Sequence, residues 1–175
     1  VAPRANVILS LALAGGFALG AAWALLRRLR PGGVQGIEDI ERTGLTVLAS
    51  VNRAAGHERA HRQGGALPVL ALTQPQDLAV EGLRSLRTSL QFGMLDSSTK
   101  AVMLTSAAPE SGKSFVAVNL ATVAAQAGQR VCLIDADLRR GYLRRYFGLE
   151  RDTAGLAELL SDQITLPEAL RDTQV

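Results

Sequence analysis

The chain has 175 residues, 47% of them hydrophobic and 20% charged, with a net charge of +3 from 19 basic and 16 acidic side chains. That composition excludes a disordered chain and a collagen-like repeat, and the single cysteine, Cys132, excludes a disulfide scaffold. All but two of the basic residues are arginine, so the basic balance gives no ground for a nucleic-acid partner.

Residues 1–4 read as the end of an extracytoplasmic region, because residues 5–26 carry no charged side chain. At about 1.5 Å per residue, a helix over that stretch reaches about 33 Å, enough to cross a hydrocarbon core of about 30 Å. Gly15, Gly16 and Gly20 are compatible with a membrane helix, where lipid offers the backbone no competing partner. A cleaved signal would need a charged start, a shorter apolar centre and a small-residue cleavage site. Here Arg27, Arg28 and Arg30 follow the apolar run and only Arg4 precedes it, so the positive-inside bias puts the rest of the chain in the cytoplasm with Trp23 near the interface. A chain that starts with Val and enters the apolar run almost at once is expected to continue a larger protein.

Residues 27–72 read as a cytoplasmic juxtamembrane linker. Pro31, Gly32 and Gly33 end the span, and an acidic stretch from Glu38 to Glu41 follows. A short strand is expected over residues 45–51. Residues 52–67 are polar and contain His57 and His61, whose spacing could share a metal on a helix, but no neighbouring Cys or Asp completes a ligand set and a solvated linker is the expectation.

Residues 73–175 are expected to form the N-terminal part of a further domain. Asp77 is placed to cap a helix in which Ala79, Leu83, Leu86 and Leu90 repeat at helical spacing as one buried stripe. Glu81, Arg84 and Arg87 fan over the other side, either as a solvated ion-paired surface or as a protein contact in which arginine forks meet a neighbour's carboxylates.

The strongest signal begins at Ala101. An apolar strand is expected over residues 102–105, then a small-residue loop ending Pro109, Glu110, Ser111, Gly112, Lys113, Ser114, then a helix from Phe115 to Gln126. Strand, loop, Gly-Lys-Ser and helix form the phosphate-loop arrangement. Gly112 lets the backbone approach phosphate oxygens, and free amides at the helix start meet the anion together with the positive end of the dipole. Lys113 adds a charge for the β and γ phosphates, and Ser114 offers a hydroxyl to Mg²⁺. Ala107 stands where the strict pattern has its first glycine. About twenty residues on, a second β-prone run, residues 131–134 with Cys132 expected in the core, ends in Asp135, Ala136, Asp137, Leu138 and Arg139. In a doubly wound parallel sheet, ligands gather at the carboxyl ends of strands, which would bring Asp135 and Asp137 beside the loop. One carboxylate could hold Mg²⁺ while the other accepts a proton; the plainer alternative is an aspartate capping a strand-end turn.

These residues resemble the bacterial tyrosine kinases (BY-kinases) of the polysaccharide co-polymerase type, and the likeness runs over nearly the whole chain. The resemblance implies an α/β P-loop NTPase fold, an incomplete doubly wound parallel sheet after one transmembrane helix. It also implies an ATP- and Mg²⁺-dependent protein-tyrosine autokinase of the inner membrane that regulates capsular or exopolysaccharide polymerisation and export. Glu81, Arg84 and Arg87 match the family's Glu-x-x-Arg-x-x-Arg pattern, which implies a ring-like homo-oligomer whose subunits phosphorylate one another. Asp135, Asp137 and Arg139 match its Walker A′ pattern. Carried over, Pro109 to Phe115 bind nucleotide, Lys113, Asp135 and Asp137 act in catalysis with Asp135 as the candidate base, and Ser114 and Asp137 hold the metal. The implied partners are further copies of the chain, membrane lipid, polysaccharide assembly and export proteins, and protein tyrosines; nucleic acid is not among them. The family's Walker B aspartate and tyrosine-rich tail have no counterpart in residues 1–175, so a fragment inactive by itself is expected, and Tyr142 and Tyr146 are expected to pack. A ParA- or MinD-like ATPase shares the fold, but its signature lysine would fall at Ala108. A non-catalytic polysaccharide scaffold is the third reading, against which the intact Lys113, Asp135 and Asp137 speak.

Overall fold

The computed structural model describes residues 4–29, 36–54, 56, 66–139, 141–150 and 152–173. The chain divides into two units between Val47 and Leu48. The first contains α1 (Ala5–Leu29) and α2 (Ile37–Glu41). Within α1, Val7–Arg27 has a mean hydropathy of 1.9 and none of it is buried by protein. Phe17 and Trp23 stand 81% and 68% exposed, and by length and composition the helix is a candidate membrane span. His57 and His61 lie outside the described residues.

The second unit contains α3 (Leu70–Thr73), α4 (Leu78–Gly93), α5 (Lys113–Gln126), α6 (Arg144–Phe147), α7 (Leu156–Leu160) and α8 (Leu166–Ala169). Asp77 caps α4 as its sequence suggests, with its carboxylate accepting a 2.8 Å hydrogen bond from the Ala79 amide. Ala79 and Leu83 are fully buried, and so is Val80, which widens the apolar stripe. Each such Val or Leu contributes about 1.5–3 kcal/mol by leaving water. α5 lies at the centre: Val123 packs with Leu70, Ala71, Ala79, Val80 and Leu83, while Val118 packs with Leu67, Val69, Leu143 and Tyr146. A helix covered on two sides needs no polar stripe, which explains its evenly apolar sequence.

Compact packing starts earlier than the boundary expected at residue 73. Ala54, Leu67, Val69, Leu70 and Ala71 are all buried in the second unit. Residues 48–54 lie along α4, where Ser89 Oγ donates a 3.0 Å hydrogen bond to the Leu48 carbonyl. Gly82 permits the approach: a Cβ there would stand 2.6 Å from the Ser50 carbonyl oxygen.

The expected strands do not form among the described residues. Residues 45–51, 102–105 and 131–134 carry no strand assignment, and no backbone hydrogen bond joins the last two segments. A sheet needs lateral partners, and without them the apolar side chains stand open: Met103 is 87% and Ile134 62% exposed. Cys132, expected in the core, is exposed for the same reason.

Candidate functional site

The loop of residues 109–112 runs into a helix close to where the sequence places that transition. Gly112 adopts φ +93°, a left-handed conformation that glycine reaches without steric cost, and delivers the chain into α5 at Lys113. The Val116 amide then closes the first turn on the Gly112 carbonyl at 2.9 Å. Amides earlier in that turn have no carbonyl ahead of them within the helix and, with the dipole, favour an anion there. Glu110 also has positive φ, at 59°, so the loop turns back tightly just before Gly112. The Ser106 hydroxyl donates to the Ala108 carbonyl at 3.1 Å and holds the start of the loop.

A cleft of about 270 Å³ opens at this point, lined by Leu104, Thr105, Ser106, Ser111, Gly112, Lys113 and Val116. Nothing lies within 4 Å of where a Gly112 Cβ would stand, so the space in front of the loop is open to a ligand. Lys113 is exposed at its edge and Ser114 and Phe115 are half-buried behind it. These features fit a polyphosphate: open volume, glycine backbone, a helix start and the exposed Lys113 cation.

Asp135 and Asp137 are half-buried and do not line the cleft. Asp135 Oδ1 accepts from the Asp137 amide at 3.1 Å and Oδ2 from the Leu143 amide at 3.0 Å. The Gly141 amide in turn donates to the Asp137 carbonyl at 2.9 Å. Asp135 therefore orders the turn that carries Asp137, the capping role the sequence left open beside the catalytic one. Among the described residues no group of three or more His, Cys, Asp or Glu side chains could hold a metal. Mg²⁺ bound with a nucleotide needs few protein ligands, since phosphate oxygens and water supply the rest.

The Glu81, Arg84 and Arg87 face is divided. Glu81 and Arg84 form an exposed ion pair with each other. Arg87 turns inward, with Nη1 donating to the Val123 carbonyl near the end of α5 at 3.4 Å. Its Nε is buried and has no hydrogen-bond partner among the described residues. Helical geometry explains the difference: Arg87 sits about 40° from Leu83 and inside the stripe that Val80 widens. Its stem packs while its guanidinium reaches the negative end of α5.

Tyr146 lies in the core beside Val118 and Leu143. Burial pushes its phenol up to about 12, opposed by the neighbouring Arg145 cation. Tyr142 is half-buried with the Arg145 guanidinium over its ring, 5.7 Å from the centroid. Sequence reasoning missed Asn119, which is fully buried in α5. Its Oδ1 accepts from the Ala71 amide at 2.9 Å and its Nδ2 donates to the Phe115 carbonyl at 2.8 Å. A lone asparagine in an otherwise apolar helical run was the available signal, because a buried amide must be paired.

Residues 102–164 match the CobQ/CobB/MinD/ParA nucleotide binding domain family. The chain is 40% identical over 179 residues to a tyrosine-protein kinase of Acinetobacter johnsonii, covering 100% of this chain and 24% of that protein. Among solved structures, it resembles the BceF tyrosine kinase domain with 44% identity and a TM-score of 0.72 over 81% of this chain and 59% of that one. The kinase domain of the Escherichia coli tyrosine kinase ETK matches with 38% identity and a TM-score of 0.73 over 81% of this chain and 56% of that one. The chain thus spans about a quarter of the length of the curated relatives it matches. At 40% identity over the whole of this chain, and at 44% and 38% identity with two solved kinase domains, the chain is similar to a part of the bacterial tyrosine kinases, and within it residues 102–164 match a nucleotide binding domain family.

Proposed function

We propose that this chain carries the ATP-binding part of an inner-membrane protein-tyrosine autokinase that regulates capsular or exopolysaccharide polymerisation and export. The observation that carries the proposal is the Gly112 to Lys113 transition: a left-handed glycine opening a helix, with an open cleft in front and one lysine at its rim. α1 supports attachment to the membrane, since its length and hydropathy suit a span.

In the proposed reaction, the first-turn amides and Lys113 bind the β and γ phosphates and hold the γ-phosphoryl group in line with an incoming tyrosine hydroxyl. The rate gain comes from positioning and from matching the negative charge on the transferring group. Ser114 and Asp137 would hold Mg²⁺, which neutralises phosphate charge when bound. Asp135 is the proposed base. A carboxylate offers about four lone-pair sites, so its two backbone hydrogen bonds leave acceptor capacity for a tyrosine proton. The acceptor tyrosine belongs to another subunit, with the exposed Glu81 and the half-buried Arg84 contributing to a ring-like assembly. Neither Tyr142, stacked under Arg145, nor the core Tyr146 suits phosphate acceptance.

The test is Lys113→Met in the intact protein, read by antiphosphotyrosine blotting after incubation with ATP. Loss of labelling with unchanged membrane recovery is the expected result; undiminished labelling would refute the proposal.

A further inference from the structure

We infer that Asn119 is a positioning residue for the nucleotide site, tying the first turn of α5 to the backbone of α3. This rests on the reading of the 109–115 loop as the ATP-binding loop. The two hydrogen bonds of the Asn119 amide point in different directions. Nδ2 reaches the Phe115 carbonyl, in the same turn as Lys113 and Ser114, and Oδ1 reaches the Ala71 amide, 48 residues away in sequence. Asn119 and Ala71 are both fully buried, so the bond between them is shielded from water, and the bond to the half-buried Phe115 is shielded in part. The Phe115 carbonyl would ordinarily be engaged by the helix ladder alone; here it also accepts from a side chain fixed to another element.

α3 is a single turn, and it is held to α5 a second time by Gln126, whose Nε2 donates to the Ala71 carbonyl at 3.4 Å. Asn119 and Gln126 therefore bracket the amide and carbonyl of one residue. Gln126 lies at the far end of α5, so it secures α3 without touching the turn that carries Lys113. The direction in which the first-turn amides point is thereby set by α3 through Asn119. A phosphate-binding turn depends on such orientation, because its donors act only when already aimed at the anion.

The experiment uses the intact protein with Mg²⁺ and a fluorescent N-methylanthraniloyl ATP. Asn119→Leu removes both hydrogen bonds at similar volume and is expected to weaken nucleotide binding about tenfold, with the KM for ATP rising more than kcat falls. Gln126→Ala is expected to lower the melting temperature while leaving nucleotide affinity within about twofold, well under the tenfold step. Asn119→Leu that melts cooperatively and binds nucleotide like the wild type would overturn the role. Should that variant not fold, hydrogen exchange on the wild type decides: nucleotide should slow exchange of the Ala71 amide, and an unchanged rate would overturn the coupling. Failure of the wild type itself to bind the nucleotide would instead refute the ATP-site reading.

Discussion

Replacing Gly82 by alanine pits two effects of known size against each other. In a helix interior alanine is favoured over glycine by about 0.5–1 kcal/mol, so propensity alone predicts stabilisation. At position 82, however, the new Cβ would lie 2.6 Å from the Ser50 carbonyl oxygen and 3.2 Å from the Val51 Cα. Both are backbone atoms that cannot swing aside, so α4 and residues 48–54 must separate. Overpacking of this kind costs about 1–3 kcal/mol, which equals or exceeds the propensity gain and leaves Gly82→Ala destabilising by up to about 2.5 kcal/mol. Gly93, at the end of the same helix, is the control: nothing lies within 4 Å of its Cβ position, so Gly93→Ala should be neutral or stabilising by up to about 1 kcal/mol. Urea unfolding of the intact protein followed by circular dichroism measures both. A midpoint raised by both substitutions would refute the docking of residues 48–54 on α4.

The divided arginine face predicts that Arg87→Glu, which sets a carboxylate against the Val123 carbonyl, costs about 1–3 kcal/mol of stability, whereas Arg84→Glu costs only a few tenths. Arg84→Glu should instead reduce oligomer size on native gels, and an unchanged size would exclude Arg84 from the assembly. Tyr146, with a phenol at about 12 against an ordinary 10.0, keeps its proton longer in the folded chain. Stability is therefore full below 10 and declines as pH rises from there toward 12, and the late component of the tyrosinate absorbance titration should vanish in Tyr146→Phe. Glu168 is held below the usual glutamate range, first by the Thr165 amide and then by the Thr165 hydroxyl, each at 2.8 Å. Its contribution is present above the ordinary 4.5 and lost as pH falls through the lowered value. Carboxyl titration by NMR should show Thr165→Ala moving Glu168 only part of the way back.

What was legible in the sequence was local. The Asp77 cap, the Ala79 and Leu83 stripe and the Gly112 to α5 transition each depend on residues within one or two turns of one another. Residues 102–105 and 131–134 were readable as extended, but a strand is completed by neighbours, and their β-prone composition says nothing about whether those neighbours are present. Arg87 was placed on the solvent face because the stripe was counted without Val80. Asn119, Gly82 and the early start of the core at residues 48–54 all depend on contacts between segments far apart in sequence, such as the 48 residues between Ala71 and Asn119, which periodicity does not encode. At Asp135 the sequence offered a catalytic carboxylate and a turn cap as rivals, whereas the geometry shows a cap with acceptor sites to spare.

In the proposed mechanism the loop at Lys113 and the aspartates at the 135–137 turn grip a single metal nucleotide. Mn²⁺ titration of the intact protein in the presence of ATP, followed by the electron paramagnetic resonance signal of the free ion, tests this with Ser114→Ala and Asp137→Asn. Weaker Mn²⁺ binding in both variants, seen only when ATP is present, is the predicted result; an Asp137→Asn protein that binds Mn²⁺ and ATP like the wild type would contradict it.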